Sequence, residues 1–277
     1  MSSVEPSAGT DPVIVCLKWG DGYPCHYANI LYRALTDLMR RPFRFVCLTD
    51  DPVGLDPGIE PVALPDFAID RAHWVPGMWP KLAAFKPGLF ADGTPVLLLD
   101  VDVLIVRDLG PLVDRIRETG AVHTIQDWPG LIERWANRPG ASTRGSNSSV
   151  TGFVAGSEDA VRVWEAFRDR SFAELTLIAG NDQLFLDAVC QDRRFWPVDW
   201  VPSFKKTLCK VRLRTLFGIV DYPSRGFVVA FHGKPNPEDL VQPRFRRWGS
   251  NEIFGYFPVS WVRAYWQKYA GAGPQSR

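Results

Sequence analysis

Val96-Leu97-Leu98-Leu99-Asp100-Val101-Asp102-Val103-Leu104-Ile105 is an apolar run that ends in two carboxylates and then resumes. Preceded by Gly93-Thr94-Pro95, its first four residues read as a buried strand of a parallel sheet. Two acids half-buried at a strand end cost several kcal/mol unless positive charge compensates them. No Lys or Arg sits beside them before Arg107. A divalent cation is therefore the expected compensation, since hard cations take carboxylate oxygens and leave positions for phosphate. In α/β sheets, ligands sit beyond the carboxyl ends of strands, which is where this pair falls. The same short spacing also suits a strand end capped by two solvated Asp residues.

The chain upstream alternates strand and helix signals. Val13 to Leu17 reads as a short buried strand, stopped by the turn-rich Lys18-Trp19-Gly20-Asp21-Gly22-Tyr23-Pro24. From His26 to Arg40, apolar Ile30, Leu31, Ala34, Leu35 and Leu38 follow helical spacing. Phe43 to Thr49 and Pro61 to Leu64 are predicted strands, and Trp79 to Leu89 a helix leading into the Asp100 strand. This β-α-β order, with right-handed crossovers, predicts an α/β fold with a Rossmann-like, mainly parallel sheet flanked by helices.

Downstream, a helix is predicted over Pro111 to Thr119 and a strand over Ala121 to Ile125. Residues 127–149 read as a loop, with Pro129-Gly130, Pro139-Gly140 and a polar run from Ser142 to Ser149. A long polar loop in a compact domain is either a substrate lid or plain surface. A strand follows over Val150 to Ala155 and a helix over Glu158 to Asp169. Asn181-Asp182-Gln183 caps a helix running to about Cys190. Phe227 to Phe231 is a late strand ending at His232-Gly233-Lys234-Pro235. Without an internal repeat or linker, residues 11–269 read as one domain between disordered ends, 1–10 and 270–277.

Composition narrows the classes further. The 277 residues are 46% hydrophobic, enough for a full core, and the net charge of +1 gives no global pull toward nucleic acid. The five Cys are an odd number without CxxC or zinc spacing, which fits a reduced compartment. No secretory leader pattern opens the sequence, and no run approaches the ~18 apolar residues of a membrane-spanning helix. The expected setting is cytoplasmic. Two stretches are locally basic. Lys205 to Arg214 holds five cations and no acid. Residues 244–269 mix Arg244, Arg246, Arg247, Arg263 and Lys268 with Trp248, Phe254, Tyr256, Phe257, Trp261, Tyr265 and Trp266. Such a mixture suits peripheral contact with the inner face of an anionic membrane, or a C-terminal helix whose rings pack on the core.

In order and spacing these pieces resemble the glycosyltransferases of GT-A fold, and within them family 8, which includes the lipopolysaccharide galactosyltransferases and glycogenin. The resemblance rests on the first strand and its loop, on Trp79-Pro80-Lys81-Leu82 leading into Asp100-Val101-Asp102, on Asn147-Ser148-Ser149 with Asn181-Asp182-Gln183, and on Phe231-His232-Gly233-Lys234-Pro235. It implies a metal-dependent, retaining sugar transferase that moves a sugar from a nucleoside-diphosphate donor, UDP-linked, to a glycan or lipid-linked acceptor. By resemblance, Asp100, Asp102 and His232 would hold Mn²⁺ or Mg²⁺, with Asp100 also near the donor ribose. Lys234 would approach the diphosphate, and Lys81 the donor phosphate or a sugar hydroxyl. Lys18, Trp19 and Asp21 would line the nucleotide pocket, and Asn147 would bind donor hydroxyls. Asp182 and Gln183 would stand near the anomeric carbon, where Gln183 stabilises oxocarbenium character without acting as a nucleophile. The segment His232-Gly233-Lys234-Pro235 is shorter than the family's usual form, with Asn236 where Trp is common, and Ser148-Ser149 replaces the usual Ser-Gly or Ala-Gly.

Three other readings share part of this pattern. A haloacid dehalogenase-type phosphohydrolase also ends an apolar strand in Asp-x-Asp, but near the chain start and with a following Thr. A non-catalytic nucleotide-sugar or glycan-binding protein would keep the pocket without turnover. A nucleotidyltransferase would carry a Gly-rich phosphate loop, for which Gly20-Asp21-Gly22-Tyr23-Pro24 is a poor match.

Overall fold

The computed structural model describes residues 10–75, 77–127, 145–243 and 245–271. A seven-stranded sheet forms its centre. In chain order the strands are β1 (Val13–Lys18), β2 (Arg44–Thr49), β3 (Glu60–Val62), β4 (Pro95–Leu99), β6 (Val122–Gln126), β7 (Ser146–Val154) and β8 (Arg193–Phe195), arranged β3-β2-β1-β4-β7-β6-β8. The β3-β2-β1-β4 half is parallel, β7 runs antiparallel to both β4 and β6, and β8 is parallel to β6. The sheet is thus mixed and mainly parallel, as the β-α-β order predicts. A two-stranded ribbon pairs β5 (Leu104–Ile105) with β9 (Val228–Val229).

Alternation along β1 explains the layering. Ile14 and Cys16 face one core, with the buried residues of α1 (His26–Leu38) and of α2 (Gly110–Thr119). Val13, Val15 and Leu17 face the other, with Trp79–Phe85, α3 (Glu158–Phe167) and α5 (Asp182–Val189). The helices α4 (Phe172–Ile178) and α6 (Arg212–Thr215) complete the sequence of elements with α7 (Ser260–Tyr269). Close packing depends on Gly152 in β7, where a Cβ would come within 2.7 Å of Ile116 and Trp196 side-chain atoms.

Three expectations change. The helix predicted over Trp79 to Leu89 is a single 3₁₀ segment, Trp79–Phe85. Pro87 restricts the residue before it, and Lys86 is accordingly extended at ψ 124°. The predicted loop 127–149 loses its last residues to β7, because Ser146 to Ser149 pair in the sheet and are buried. The remainder of that predicted loop, 128–144, lies outside the described residues, as do residues 1–9 and 272–277 of the predicted disordered ends 1–10 and 270–277. The late strand predicted over Phe227 to Phe231 shortens to Val228–Val229.

The rings of the basic C-terminal stretch pack mostly inward. Trp248 is 1% exposed, Trp266 meets Tyr27 at 5.4 Å between centroids, and the Tyr265 hydroxyl accepts the Ile105 N–H. Phe254 and Tyr256 remain exposed, and Phe245 with them; Arg244 lies outside the described residues. No helix among the described residues is long and apolar enough to cross a membrane.

Candidate active site

A cavity of about 540 Å³ opens at the carboxyl ends of β1 and β4. Nine of the eleven residues singled out from the sequence line it: Lys18, Trp19, Asp21, Lys81, Asp100, Asp102, Asn147, Gln183 and His232. Asp182 lies directly beneath, 1% exposed. Lys234 does not join them. Its side chain is 53% exposed and its Nζ donates to Asp239 Oδ2 at 2.9 Å, so the expected approach to a diphosphate is not formed.

The cavity floor is an acid–base cluster. Lys81 Nζ stands 2.5 Å from Asp100 Oδ1 and 4.0 Å from Asp182 Oδ2, and donates to Ser148 Oγ at 3.2 Å. Ser148 in turn donates to Asp182 Oδ2 at 2.6 Å. Lys81 therefore supplies the positive charge that the local sequence around the acid pair lacks. Its ammonium is turned to carboxylates rather than left free for a phosphate. Burial alone would lower the Lys81 pKa, but Asp100 and Asp182 hold it above its ordinary value. The left-handed conformation of Met78, φ 54°, starts the 3₁₀ segment that carries Lys81. The Asp182 N–H donates to the Gly77 carbonyl, tying that segment to α5.

Asp102 has a different partner. The Tyr23 hydroxyl donates to its Oδ2 at 2.8 Å. Burial, followed by the Asp100 charge, pushes the Asp102 carboxyl up to about 7 despite that hydrogen bond and Lys81. Burial likewise pushes Asp182 up to about 6 against the pull of Lys81 and Ser148. Burial and Asp102 push the Tyr23 phenol well upward, so it stays a proton donor. Asp182 Oδ1 is buried without a hydrogen-bond partner. α5 holds this acid and Gln183 because Asn181 Oδ1 accepts the Leu184 N–H at 2.9 Å, which is the predicted cap.

His232 also lines the cavity. Its Nε2 is 2.6 Å from Ser203 Oγ, and Ser203 Oγ also accepts the Lys206 N–H. Burial, then Lys205 and Lys206, push its pKa down to about 4, leaving it neutral near pH 7. Among the described residues, no three His, Cys, Asp or Glu side chains form a group that could hold a metal ion. Asp100 and Asp102 fit a hard divalent cation in charge and donor type. They form no three-membered group with His232, whose Nε2 is engaged by Ser203.

Tyr23, Ser148 and Arg71 are site residues that sequence reasoning did not assign. Tyr23 belongs to the same turn-rich loop as Asp21, which was its only signal. Arg71 pairs with Asp50, and Asp50 also accepts the Gly20 N–H through both oxygens, at 3.2 and 3.1 Å. This clamp fixes the loop after β1 against the end of β2.

No protein-family model matches the chain, and no curated protein matches it either. Solved structures do. Galactosyltransferase LgtC, in complex with donor and acceptor sugar analogs, aligns over 96% of this chain and 97% of its own, at 14% identity and TM-score 0.57. The bifunctional glycosyltransferase WbbM aligns over 98% of this chain and 51% of its own, at 12% identity and TM-score 0.53. The glycosyltransferase GlyE of Streptococcus pneumoniae TIGR4 aligns over 95% and 62%, at 12% identity and TM-score 0.51. At such identities the likeness establishes the fold, which is that of the GT-A glycosyltransferases.

Proposed function

We propose that this protein is a glycosyltransferase that takes a sugar from a nucleoside-diphosphate donor, UDP-linked, and passes it to a glycan or lipid-linked acceptor with retention of configuration. The observation that carries the reading is the Lys81–Asp100–Asp182 cluster in the floor of a cavity at the strand ends of a GT-A fold. Its chemistry matches what transfer requires. The departing diphosphate gains negative charge as the glycosidic bond breaks, and fixed positive charge stabilises it. Asp100 and Asp102 would hold Mn²⁺ or Mg²⁺, which when bound supplies that charge to the leaving group. His232 would be the third ligand, through a ring nitrogen of its neutral imidazole.

The remaining roles fall to the chain itself. Lys81 and Ser148 hold Asp100 Oδ1 and Asp182 Oδ2 in place, so the sugar hydroxyls meet an acceptor array that does not reorganise. Asp182 Oδ1, unpartnered in the protein, is an acceptor for a donor-sugar hydroxyl. Gln183 presents an amide, which is a poor nucleophile and a good partner for a partly positive sugar ring. LgtC has been solved as an active-site Gln-to-Glu mutant, and Gln183 in the cavity wall is the side chain we set beside that glutamine. Phe245, Phe254 and Tyr256, exposed near Arg246 and Arg247, support peripheral contact with an anionic membrane from the cytoplasmic side.

The test is a thermal-shift panel of UDP, GDP, CDP, ADP and dTDP, each with and without Mn²⁺, followed by donor turnover. A ligand that binds only the folded state raises its melting temperature. A Mn²⁺-dependent shift with one nucleotide is expected. Turnover of simple aryl phosphates without any nucleotide shift would favour the phosphohydrolase instead.

A further inference from the structure

Asp100 and Asp102 stand two residues apart just after β4, yet different parts of the chain hold them. Asp100 Oδ1 is paired with Lys81, whereas no cation among the described residues comes within ion-pair distance of Asp102. Asp102 Oδ2 instead accepts from the Tyr23 hydroxyl at 2.8 Å. No other side chain among the described residues donates to this carboxylate. The residue is only 7% exposed, so water does little to orient it. The terminal torsion of an aspartate is broad, and a carboxylate with one side-chain partner takes its direction from that partner.

Tyr23 is itself braced. It lies on the loop after β1, 79 residues before Asp102 in the chain. The near end of that loop is tied by Asp50 and Arg71, which clamp Gly20. At its far end the Tyr27 N–H donates to the Pro24 carbonyl at 3.1 Å, in the turn that opens α1. The Tyr23 ring meets Tyr27 edge-on with 5.0 Å between centroids, and Tyr27 meets Trp266 at 5.4 Å. A phenol held through its ring aims its hydroxyl one way. Both Tyr23 and Asp102 line the cavity, so the bond is made where a ligand would enter.

We propose that Tyr23 is a positioning residue for the metal site: its hydroxyl holds Asp102 Oδ2, so that the carboxylate meets a divalent cation already oriented. The inference rests on the reading of Asp100 and Asp102 as the metal acids. Tyr23 is not itself a ligand in this arrangement. The two acids are set by two separate donors, Lys81 for the first and Tyr23 for the second. Partners that orient a ligating carboxylate contribute roughly ten- to a hundredfold in metal affinity.

The test is calorimetric titration of UDP into the full chain at a series of Mn²⁺ concentrations, for wild type and Tyr23→Phe. Phenylalanine keeps the ring against Tyr27 and removes only the hydroxyl. The Mn²⁺ concentration for half-maximal UDP binding should rise at least about tenfold, and excess Mn²⁺ should restore binding. An unchanged Mn²⁺ dependence would overturn the inference and leave the metal reading standing. So would UDP binding weakened equally at every Mn²⁺ concentration, which would assign the hydroxyl to the nucleotide or to the packing of the loop. A Tyr23→Phe chain that does not fold would assign it to the fold instead, and overturn the inference as well. If the wild type binds UDP without regard to Mn²⁺, or not at all, the metal or donor reading itself fails and the inference goes with it.

Discussion

The Lys81 ammonium lies 2.5 Å from Asp100 Oδ1, in a place where only 8% of the lysine side chain is exposed. This pair couples the cavity floor to the stability of the fold. Removing one partner of a buried ion pair leaves the other charge uncompensated, at about 3–5 kcal/mol. Asp100 is partly exposed, so the lower end applies. Lys81→Met should lower the urea midpoint accordingly and reduce donor turnover by at least about a hundredfold. Lys81→Arg, which keeps the charge, should recover most of the stability. A Met variant as stable as wild type would show that the pair does not hold the floor.

Asp102→Asn removes the charge of the second acid and leaves an oxygen that still accepts from Tyr23. Metal-dependent donor turnover should disappear while the circular dichroism spectrum and melting temperature stay near wild type. Full activity would end its assignment to the metal.

For His232→Ala the expected outcome is a higher Mn²⁺ concentration for half-maximal turnover. Because Ser203 engages Nε2 in this structure, the comparison with Ser203→Ala is informative. Removing that hydroxyl contact should lower the Mn²⁺ requirement. If neither substitution moves the metal titration, His232 is not a ligand.

His123 gives a pH dependence of stability away from the site. It is fully buried, stacks on Trp196 with centroids 4.6 Å apart, and has an unpartnered Nδ1. Burial, then Arg115 and Arg194, push its pKa from 6.5 down to about 4. Between those values the unfolded chain binds the proton that the folded chain refuses. Stability is therefore full above about pH 6.5 and falls as pH drops toward 4, by up to about 1.4 kcal/mol per unit. Urea midpoints measured across this range should fall less steeply in His123→Phe than in wild type. Parallel slopes would refute the assignment.

Asn181→Ala should cost about 1 kcal/mol through the lost cap on the Leu184 N–H. Because the capped turn carries Asp182 and Gln183, turnover should fall more than stability does. A drop in stability with unchanged turnover would separate the cap from the site.

Much of the fold was legible because period-2 and period-3.6 patterns are local. β1, β2, β4 and α1 all follow from runs such as Val13 to Leu17 and Ile30 to Leu38. The acid pair was legible because two carboxylates at the end of an apolar run are conspicuous. Its compensation was not, since Lys81 arrives from a separate segment and nothing in the spacing measures that approach. Ser146 to Ser149 read as loop for a related reason. Their polarity is that of a surface, but Asp182, Asp187 and Thr124 satisfy their hydroxyls or amides inside the sheet. Polar residues with long-range partners carry no periodic signal. The departure of Lys234 toward Asp239 was equally invisible, because it depends on the turn that Asn236 and Asp239 form together.

The cavity is lined from the early chain by residues 17–23 and from the late chain by Phe231, His232 and Gly233. During synthesis, therefore, β1 and its loop leave the ribosome long before residues 231–233. A nascent chain that has emerged only through β7 already holds Lys18, Lys81, Asp100 and Asn147 but lacks Asp182 of the floor and Gln183 and residues 231–233 of the lining. A domain folds as a unit, so for this chain the pocket is completed only once residues 231–233 have been made.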